Sequence, residues 1–157
     1  MGDVVHAAED SAGQDTVAPQ ELPIESSQVE KYAAQRPDEP PEAVRREAKL
    51  VARYTAWLDD RGEATCRHRI PIPGGAYLFT DVFNKASQEL IEAKASAARV
   101  YVRAGLGQLL VYARFLEHYS KALLLPTQPS ADLIELLNAH GCGVIWEESG
   151  HFQRHDP

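Results

Sequence analysis

An apolar segment at residues 90–96, LIEAKAS, is interrupted by two charged residues, Glu92 and Lys94. The segment has the length and composition of a buried strand, and a strand turns alternate side chains to the same face. Glu92 and Lys94 would therefore project together from a sheet. Because charged side chains are almost never buried without a partner or an ion, the fold must supply partners for this pair.

The composition is that of one globular domain with an acidic N-terminal segment. The chain has 157 residues, 44% of them apolar and 25% charged, and no apolar run that approaches a bilayer span. The net charge of −7 lies in residues 1–40, which carry nine acidic and two basic residues, whereas residues 41–157 carry fourteen of each. We interpret residues 1–40 as a disordered tail or linker and 41–157 as the folded domain. A neutral folded domain leaves nucleic acid open as a partner.

The two cysteines, Cys66 and Cys142, lack C-x-x-C spacing and suggest reduced thiols in a cytoplasmic protein. The acidic N-terminus lacks the apolar segment of a secretory signal, which agrees with that location. We interpret Cys142 as a small buried residue after a turn rather than as a nucleophile. The six histidines are scattered, with no pair at helical spacing, so a zinc site has little support from the sequence.

The spacing of apolar residues predicts eight elements in the order α-β-β-β-α-β-α-β. They are a helix over residues 42–62, strands over 64–72, 76–83 and 89–96, a helix over 97–119, a strand over 121–126, a helix over 130–141 and a strand over 143–148. This order predicts an α/β fold with a mixed sheet, in which an antiparallel meander is followed by crossover units.

Two further acids are predicted to approach the Glu92–Lys94 pair. Asp81 lies on the preceding strand, and neighbouring positions across a hairpin come within about 5 Å of each other. Glu47 lies on the apolar stripe of the first helix, whose other members are Leu50, Val51, Tyr54, Trp57 and Leu58. Two alternatives stay open. Asp81 caps a bend while the pair decorates an exposed face, or Glu47 reaches solvent from the edge of the stripe.

An amide is predicted within the apolar stripe of the long helix. Gln108 shares its helical spacing with Tyr101, Ala104, Val111, Tyr112, Phe115 and Leu116. A buried amide needs hydrogen-bond partners, which either the backbone or a polar site supplies.

Converging carboxylates indicate a metal site, because packed acids repel each other unless a cation neutralises them. An all-oxygen ligand set suits Mg²⁺, with Mn²⁺ as the alternative, rather than zinc. A lysine beside such an ion can hold the attacking water or stabilise developing negative charge. Metal, lysine and water together are the machinery of phosphodiester hydrolysis.

The pattern resembles the PD-(D/E)XK nuclease superfamily, over residues 42–147. Asp81 matches the acid of one strand, Glu92-Ala93-Lys94 matches the (D/E)-x-K of the next, and Gln108 to Tyr112 matches the Q-x-x-x-Y of one subgroup. Thr80 stands where the family name has proline. The resemblance implies a restriction-endonuclease-like α-β-β-β-α-β core, with a mixed central sheet flanked by helices. It also implies catalytic roles for Asp81, Glu92, Lys94 and the helical Glu47.

By the same resemblance, Asp81, Glu92 and the backbone carbonyl of Ala93 would hold the metal, with Glu47 as a further candidate ligand. Gln108 and Tyr112 would position the nucleic-acid backbone or the site. Six basic residues are candidate phosphate contacts or an ordinary solvated surface: Arg67, His68, Arg69, Lys85, Arg99 and Arg103.

The leading hypothesis is a Mg²⁺-dependent DNA endonuclease module serving restriction, defence or repair, with no membrane association. Nothing resembles a base-reading element, so a fused or partner domain would supply sequence recognition. Pairing of two copies is left open. The alternatives are a catalytically inactive member of the same fold that binds nucleic acid or protein, and an unrelated α/β interaction domain whose polar residues scatter over the surface.

Overall fold

The computed structural model describes residues 18–24, 38–116 and 119–157. Most of the tail or linker predicted over residues 1–40 therefore lies outside the described residues. The exception is a short strand, β1, at Gln20–Leu22, where the sequence has no strand-like periodicity. No helix in the described part of the chain has the length and apolar character needed to cross a membrane.

The fold is mixed α/β, as predicted, with three helices and an eight-stranded mixed sheet among the described residues. The helices are α1 Pro41–Asp59, α2 Arg99–Tyr112 and α3 Ala131–Ala139. The strands after β1 are β2 Thr65–Pro71, β3 Tyr77–Phe79, β4 Val82–Asn84, β5 Glu89–Ala93, β6 Ser120–Leu125, β7 Cys142–Glu148 and β8 His151–His155. Their order across the sheet is β1-β2-β4-β5-β6-β7-β8, with β3 paired to β2.

The predicted change from an antiparallel to a parallel arrangement is confirmed. Strands β2, β4 and β5 pair antiparallel. Strands β5, β6 and β7 pair parallel, with α2 connecting β5 to β6 and α3 connecting β6 to β7. One apolar cluster joins the sheet to α2 and α3, and a second joins the other face of the sheet to α1. The sheet is therefore covered on both faces around β5, the strand that carries Glu92.

Helix α1 buries the stripe that its spacing predicts. Leu50, Val51, Tyr54 and Leu58 pack on the sheet, and Glu47 is buried with them. The helix begins at Pro41, because proline lacks the amide hydrogen that would be unsatisfied at this position. The alternative in which Glu47 reaches solvent is wrong.

Helix α2 is shorter than predicted and turns a different face to the sheet. It ends at Tyr112 rather than near residue 119 and buries Val102, Gly105, Leu106, Leu109 and Tyr112. Ala104 and Val111, both predicted on the buried stripe, are exposed. The difference arises because this helix has apolar side chains around most of its circumference. The periodicity of the sequence therefore does not identify which face is buried. The choice follows Gly105, whose missing side chain allows close approach to β6.

The strand predicted over residues 76–83 is two strands. Thr80 interrupts it by hydrogen bonding to His68 of β2 through its backbone amide and its hydroxyl oxygen, at 3.0 and 2.8 Å. Strand β3 therefore pairs with β2 alone, whereas β4 lies between β2 and β5. Tyr77, at the start of β3, is exposed, whereas Asp81, after the break, is buried.

A further strand, β8, follows β7 through a tight turn at Ser149 and Gly150, both with positive φ. Both cysteines are free and buried, and burial raises the pKa of Cys142 to about 12. A thiol held in its neutral form fits the interpretation of Cys142 as a packing residue.

Candidate active site

Four of the predicted site residues are buried in one region between α1 and the end of β5. Glu47, Asp81, Glu92 and Lys94 are each at most 2% exposed. Glu47 comes from α1, Asp81 from the break between β3 and β4, and the other two from β5 and the residue after it. The alternative in which the charged pair decorates an exposed face is wrong.

The backbone of β5 holds the Asp81 carboxylate. Asp81 Oδ2 accepts a hydrogen bond of 2.8 Å from the amide of Ala93. Val82 lies opposite Ile91 in the β4–β5 ladder, and extending that antiparallel register brings Asp81 opposite Glu92. The predicted hairpin register therefore places Asp81 beside the Glu92-Ala93-Lys94 segment.

The Lys94 ammonium lies among three carboxyl groups. Its Nζ is 2.9 Å from Glu39 Oε1, 3.6 Å from Glu92 Oε1 and 3.7 Å from Glu47 Oε1. The side chain is 1% exposed, and Gly105 of α2 leaves space for its aliphatic stem. A lysine buried this deeply is tolerated because acids neutralise it on several sides.

Glu47 is held as a neutral acid at pH 7. Burial raises its pKa from 4.5 to about 9, the Lys94 ammonium opposes that rise, and the carboxylates of Asp81 and Glu39 add to it. Its Oε1 also accepts a hydrogen bond of 3.2 Å from the amide of Ala95. Removal from water thus outweighs the attraction of the ammonium 3.7 Å away.

Glu39 is a member of this cluster that sequence reasoning missed. It lies two residues before α1 in the segment PDEPP, which has no periodicity that would assign it to a face. The available signal was its position at a predicted helix start, where acids are favoured. Glu39 makes the shortest contact of the cluster with Lys94 and lies beside Glu47.

Gln108 and Tyr112 line a cavity of about 560 Å³ next to this cluster. Tyr112 is buried and donates a hydrogen bond of 3.1 Å from its hydroxyl to the carbonyl of Phe79. Gln108 is half-buried rather than part of the core, and within the described residues its Oε1 has no hydrogen-bond partner. Glu39 also lines this cavity, so the cavity reaches the acid that contacts Lys94.

A second cavity, of about 240 Å³, is also lined by Glu39. Its lining includes Lys94 itself, with Tyr101 and Ala104 of α2. Glu39 and Ala104 line both cavities. A third cavity, of about 140 Å³, is lined by Lys94 with Arg46 and Lys49 of α1. The buried cluster therefore adjoins at least three open spaces.

The six basic residues named as candidate phosphate contacts lie in different environments. Arg69 is half-buried and donates a hydrogen bond to the side chain of Gln20 on β1. Arg67 and His68 are buried on β2 and are wrong as surface contacts. Lys85 and Arg99 are exposed, but each forms an ion pair with a carboxylate. Arg103 is exposed on α2.

The acids present fit a hard divalent cation by their chemistry. Asp81 and Glu92 offer oxygen ligands from adjacent strands, as Mg²⁺ and Mn²⁺ prefer. Glu47 supplies a third carboxyl group whose proton a cation would displace, since its neutral form reflects burial without enough positive charge nearby.

The fold and this cluster together define a mixed α/β protein with a buried acid–lysine site beside the sheet. No protein-family model, curated protein or solved structure matches this chain.

Proposed function

We propose that this protein is a Mg²⁺-dependent DNA endonuclease with a restriction-endonuclease-like core. The proposal is carried by one observation, the convergence of Asp81, Glu92, Lys94 and Glu47 in one buried region. Burying one ammonium and several carboxylates destabilises a fold relative to apolar packing. Buried charged groups that lower the stability of a fold are typical of functional sites.

Each side chain has a role that follows from its position. Asp81 and Glu92 would hold the cation, which would supply charge neutralisation and Lewis-acid activation of the phosphodiester. The Ala93 and Ala95 amides fix the carboxylates of Asp81 and Glu47 by hydrogen bonds of 2.8 and 3.2 Å. Lys94 orients the attacking water and stabilises the charge that develops on the phosphate. The Ala93 carbonyl remains a proposed ligand.

Glu39 holds Lys94 beside the site, because its Oε1 lies 2.9 Å from the Lys94 Nζ. Both residues line the cavity of about 240 Å³, which gives water and a substrate oxygen an approach to the ammonium. A cation held by Asp81 and Glu92 would lie near this ammonium, and the negative charge of Glu39 would offset the repulsion between the two positive charges.

Gln108 and Tyr112 position the substrate in the larger cavity. Gln108 Oε1 lacks a hydrogen-bond partner within the described chain, so a polar ligand group can donate to it. Tyr77, which is exposed, and Phe79 line the same cavity and offer aromatic faces to nucleotide bases. Exposed Arg46 and Lys49 of α1 line a further cavity with Lys94 and are available for phosphate contacts. A fused or partner domain, or a second copy of the chain, would supply further DNA contacts.

The second candidate is a catalytically inactive module of the same fold that binds nucleic acid or protein. The ion pairs of Lys94 with Glu39 and Glu92 favour it, since these two carboxylates balance the ammonium without a metal ion. Such a module would retain the cluster as a polar core and would bind its partner without cutting it.

A plasmid-nicking assay distinguishes the two candidates. We expect nicking with Mg²⁺ or Mn²⁺, lost with chelator and reduced by roughly 100-fold or more in Lys94→Met, which keeps the aliphatic stem but removes the charge. The matched control is Lys121→Met at the far end of β6, which should nick like the parent protein. DNA with and without modified bases should be compared.

Nicking that persists with chelator, or that Lys94→Met leaves unchanged, would exclude the proposed mechanism. DNA binding without cleavage under any divalent metal would establish the inactive module.

A further inference from the structure

A second cluster of ligating side chains lies at the edge of the sheet, where β1 pairs with β2. Cys66 and His68 are two residues apart on β2 and share a face, and Glu21 of β1 lies directly opposite His68. One ligand atom from each, a sulfur, a ring nitrogen and a carboxylate oxygen, lies within 4.8 Å of the other two.

The imidazole of His68 is buried without a full set of partners. The residue is 4% exposed, and its Nδ1 has no hydrogen-bond partner among the residues that the structure describes. Its ring packs edge-on against Phe83, at 4.9 Å between centroids, which fixes its orientation. A buried ring nitrogen with nothing bound to it destabilises the fold, so a ligand at this position would relieve that cost.

The donor set selects a different metal from the one proposed for the acid–lysine site. A thiolate, an imidazole and one carboxylate are ligands of zinc and similar transition metals, whereas Mg²⁺ prefers oxygen alone. Metal–ligand bonds of about 2.0 to 2.3 Å place tetrahedral ligands roughly 3.3 to 3.8 Å apart. The three ligand atoms would therefore need to approach one another by about 1 Å, through small side-chain rotations, to bind one ion.

We propose that Glu21, Cys66 and His68 bind one Zn²⁺ ion, with a water molecule in the fourth position. Glu21 is exposed, so the ion would enter the site from the solvent next to this carboxylate. Cys66 and His68 would bind the ion from the buried side. The ion would fasten β1, a strand of three residues, to β2. This proposal is independent of the nuclease activity, because the two sites share no residue.

Lys85 is the competitor for Glu21. Its Nζ lies 2.7 Å from Glu21 Oε2, so the ammonium occupies part of the carboxylate that the metal needs. Lys85→Met would remove this competition without altering a ligand. It should therefore tighten metal binding, which simple damage to the fold would not do.

Titration of the full-length protein with Co²⁺, as a spectroscopic substitute for zinc, tests the site. We expect one equivalent to produce a thiolate-to-cobalt charge-transfer band and the visible bands of tetrahedral cobalt, both lost when Zn²⁺ is added. Cys66→Ser should abolish the charge-transfer band, and His68→Gln and Glu21→Gln should each weaken affinity by roughly 10-fold or more. Cys142→Ser, at the buried cysteine of β7, is the matched control and should bind like the parent protein.

Absence of a charge-transfer band, or its persistence in Cys66→Ser, would overturn the proposal. Loss of the band in Cys142→Ser, or unchanged affinity in Lys85→Met, would also count against this ligand set. Asp81→Asn should leave Zn²⁺ affinity unchanged while abolishing nicking, so the zinc site and the nuclease activity can fail separately.

Discussion

At the scale of single residues, the distinctive feature is charge that is buried and mutually neutralised. Lys94 is among the largest fully buried side chains, and its ammonium lies within 4 Å of three carboxyl groups. Glu47 is different, because it is buried in its neutral form. The cluster therefore combines ionised and protonated groups whose balance depends on pH and on any added cation.

The neutral state of Glu47 predicts a pH-dependent stability. Its pKa is about 9 in the folded protein and 4.5 when exposed, so the folded state holds the proton more tightly. This contribution is complete below pH 4.5 and is lost as the pH rises through 9. With chelator present, the free energy of unfolding should fall between pH 5 and 9, by at most about 1.4 kcal/mol per pH unit.

Urea denaturation at several pH values measures this dependence. Glu47→Gln should flatten the decline, whereas Glu42→Gln, at an exposed acid in the first turn of the same helix, should preserve it. Equal slopes for the parent protein and Glu47→Gln would contradict the assignment of a neutral Glu47.

At the scale of elements, one glycine determines how α2 meets the sheet. A Cβ at Gly105 would lie 2.3 Å from Leu123 Cδ1 and 3.1 Å from Lys94 Cγ, both shorter than a normal contact. Leu123 belongs to the buried core of β6, so it cannot move away freely. The helix is thereby held close to the site, and the stem of Lys94 packs beneath it.

Gly105→Ala is predicted to destabilise the protein, by about 1–3 kcal/mol, because the added methyl group overpacks the α2–β6 contact. Gly107→Ala on the same helix has nothing within 4 Å and should be neutral or stabilising, by up to about 1 kcal/mol. Thermal or urea denaturation of the two variants measures the difference. A Gly105→Ala protein as stable as Gly107→Ala would mean that the close packing is not maintained in solution.

At the scale of the whole molecule, Arg154 of β8 connects the edge of the sheet to its centre. Its guanidinium makes two hydrogen bonds, of 3.1 and 2.7 Å, to the buried carboxylate of Glu89 on β5. The guanidinium passes over β7 beside Gly143, where an added Cβ would lie 3.5 Å from the Arg154 Nη2. The last strand is therefore tied both to its neighbour and to a strand three positions away in the sheet.

Arg154→Met should lower the free energy of unfolding by about 2 kcal/mol, because Glu89 would stay buried after losing its guanidinium. Water still reaches the 41% exposed side chain of Arg154, which keeps the expected cost below that of a fully buried pair. Arg53→Met removes the comparable but more exposed pair with Glu147 and should cost under about 1 kcal/mol. Equal losses in urea denaturation would refute the distinction between the two pairs.

The sequence alone predicted the order of the main elements, the buried face of α1 and the meeting of Asp81, Glu92, Lys94 and Glu47. These follow from local periodicity and from hairpin pairing, which depend on neighbours along the chain. Residues that act through distant contacts escaped prediction. Glu39 joins the site from an aperiodic segment, and β1 forms only because β2 offers it a free edge.

The tertiary structure decided which face of α2 is buried, where the strand before Asp81 breaks, and that Cys66 and His68 meet Glu21. Apolar residues surround α2, so its orientation depended on the space at Gly105 rather than on periodicity. The spacing Cys-x-His was visible in the sequence, but its third member lies more than forty residues earlier on another strand. The sequence by itself determined that Glu92 and Lys94 are charged residues within a buried strand and so need partners. Packing decided which residues neutralise their charges, because burial and distance are defined only once the chain has folded.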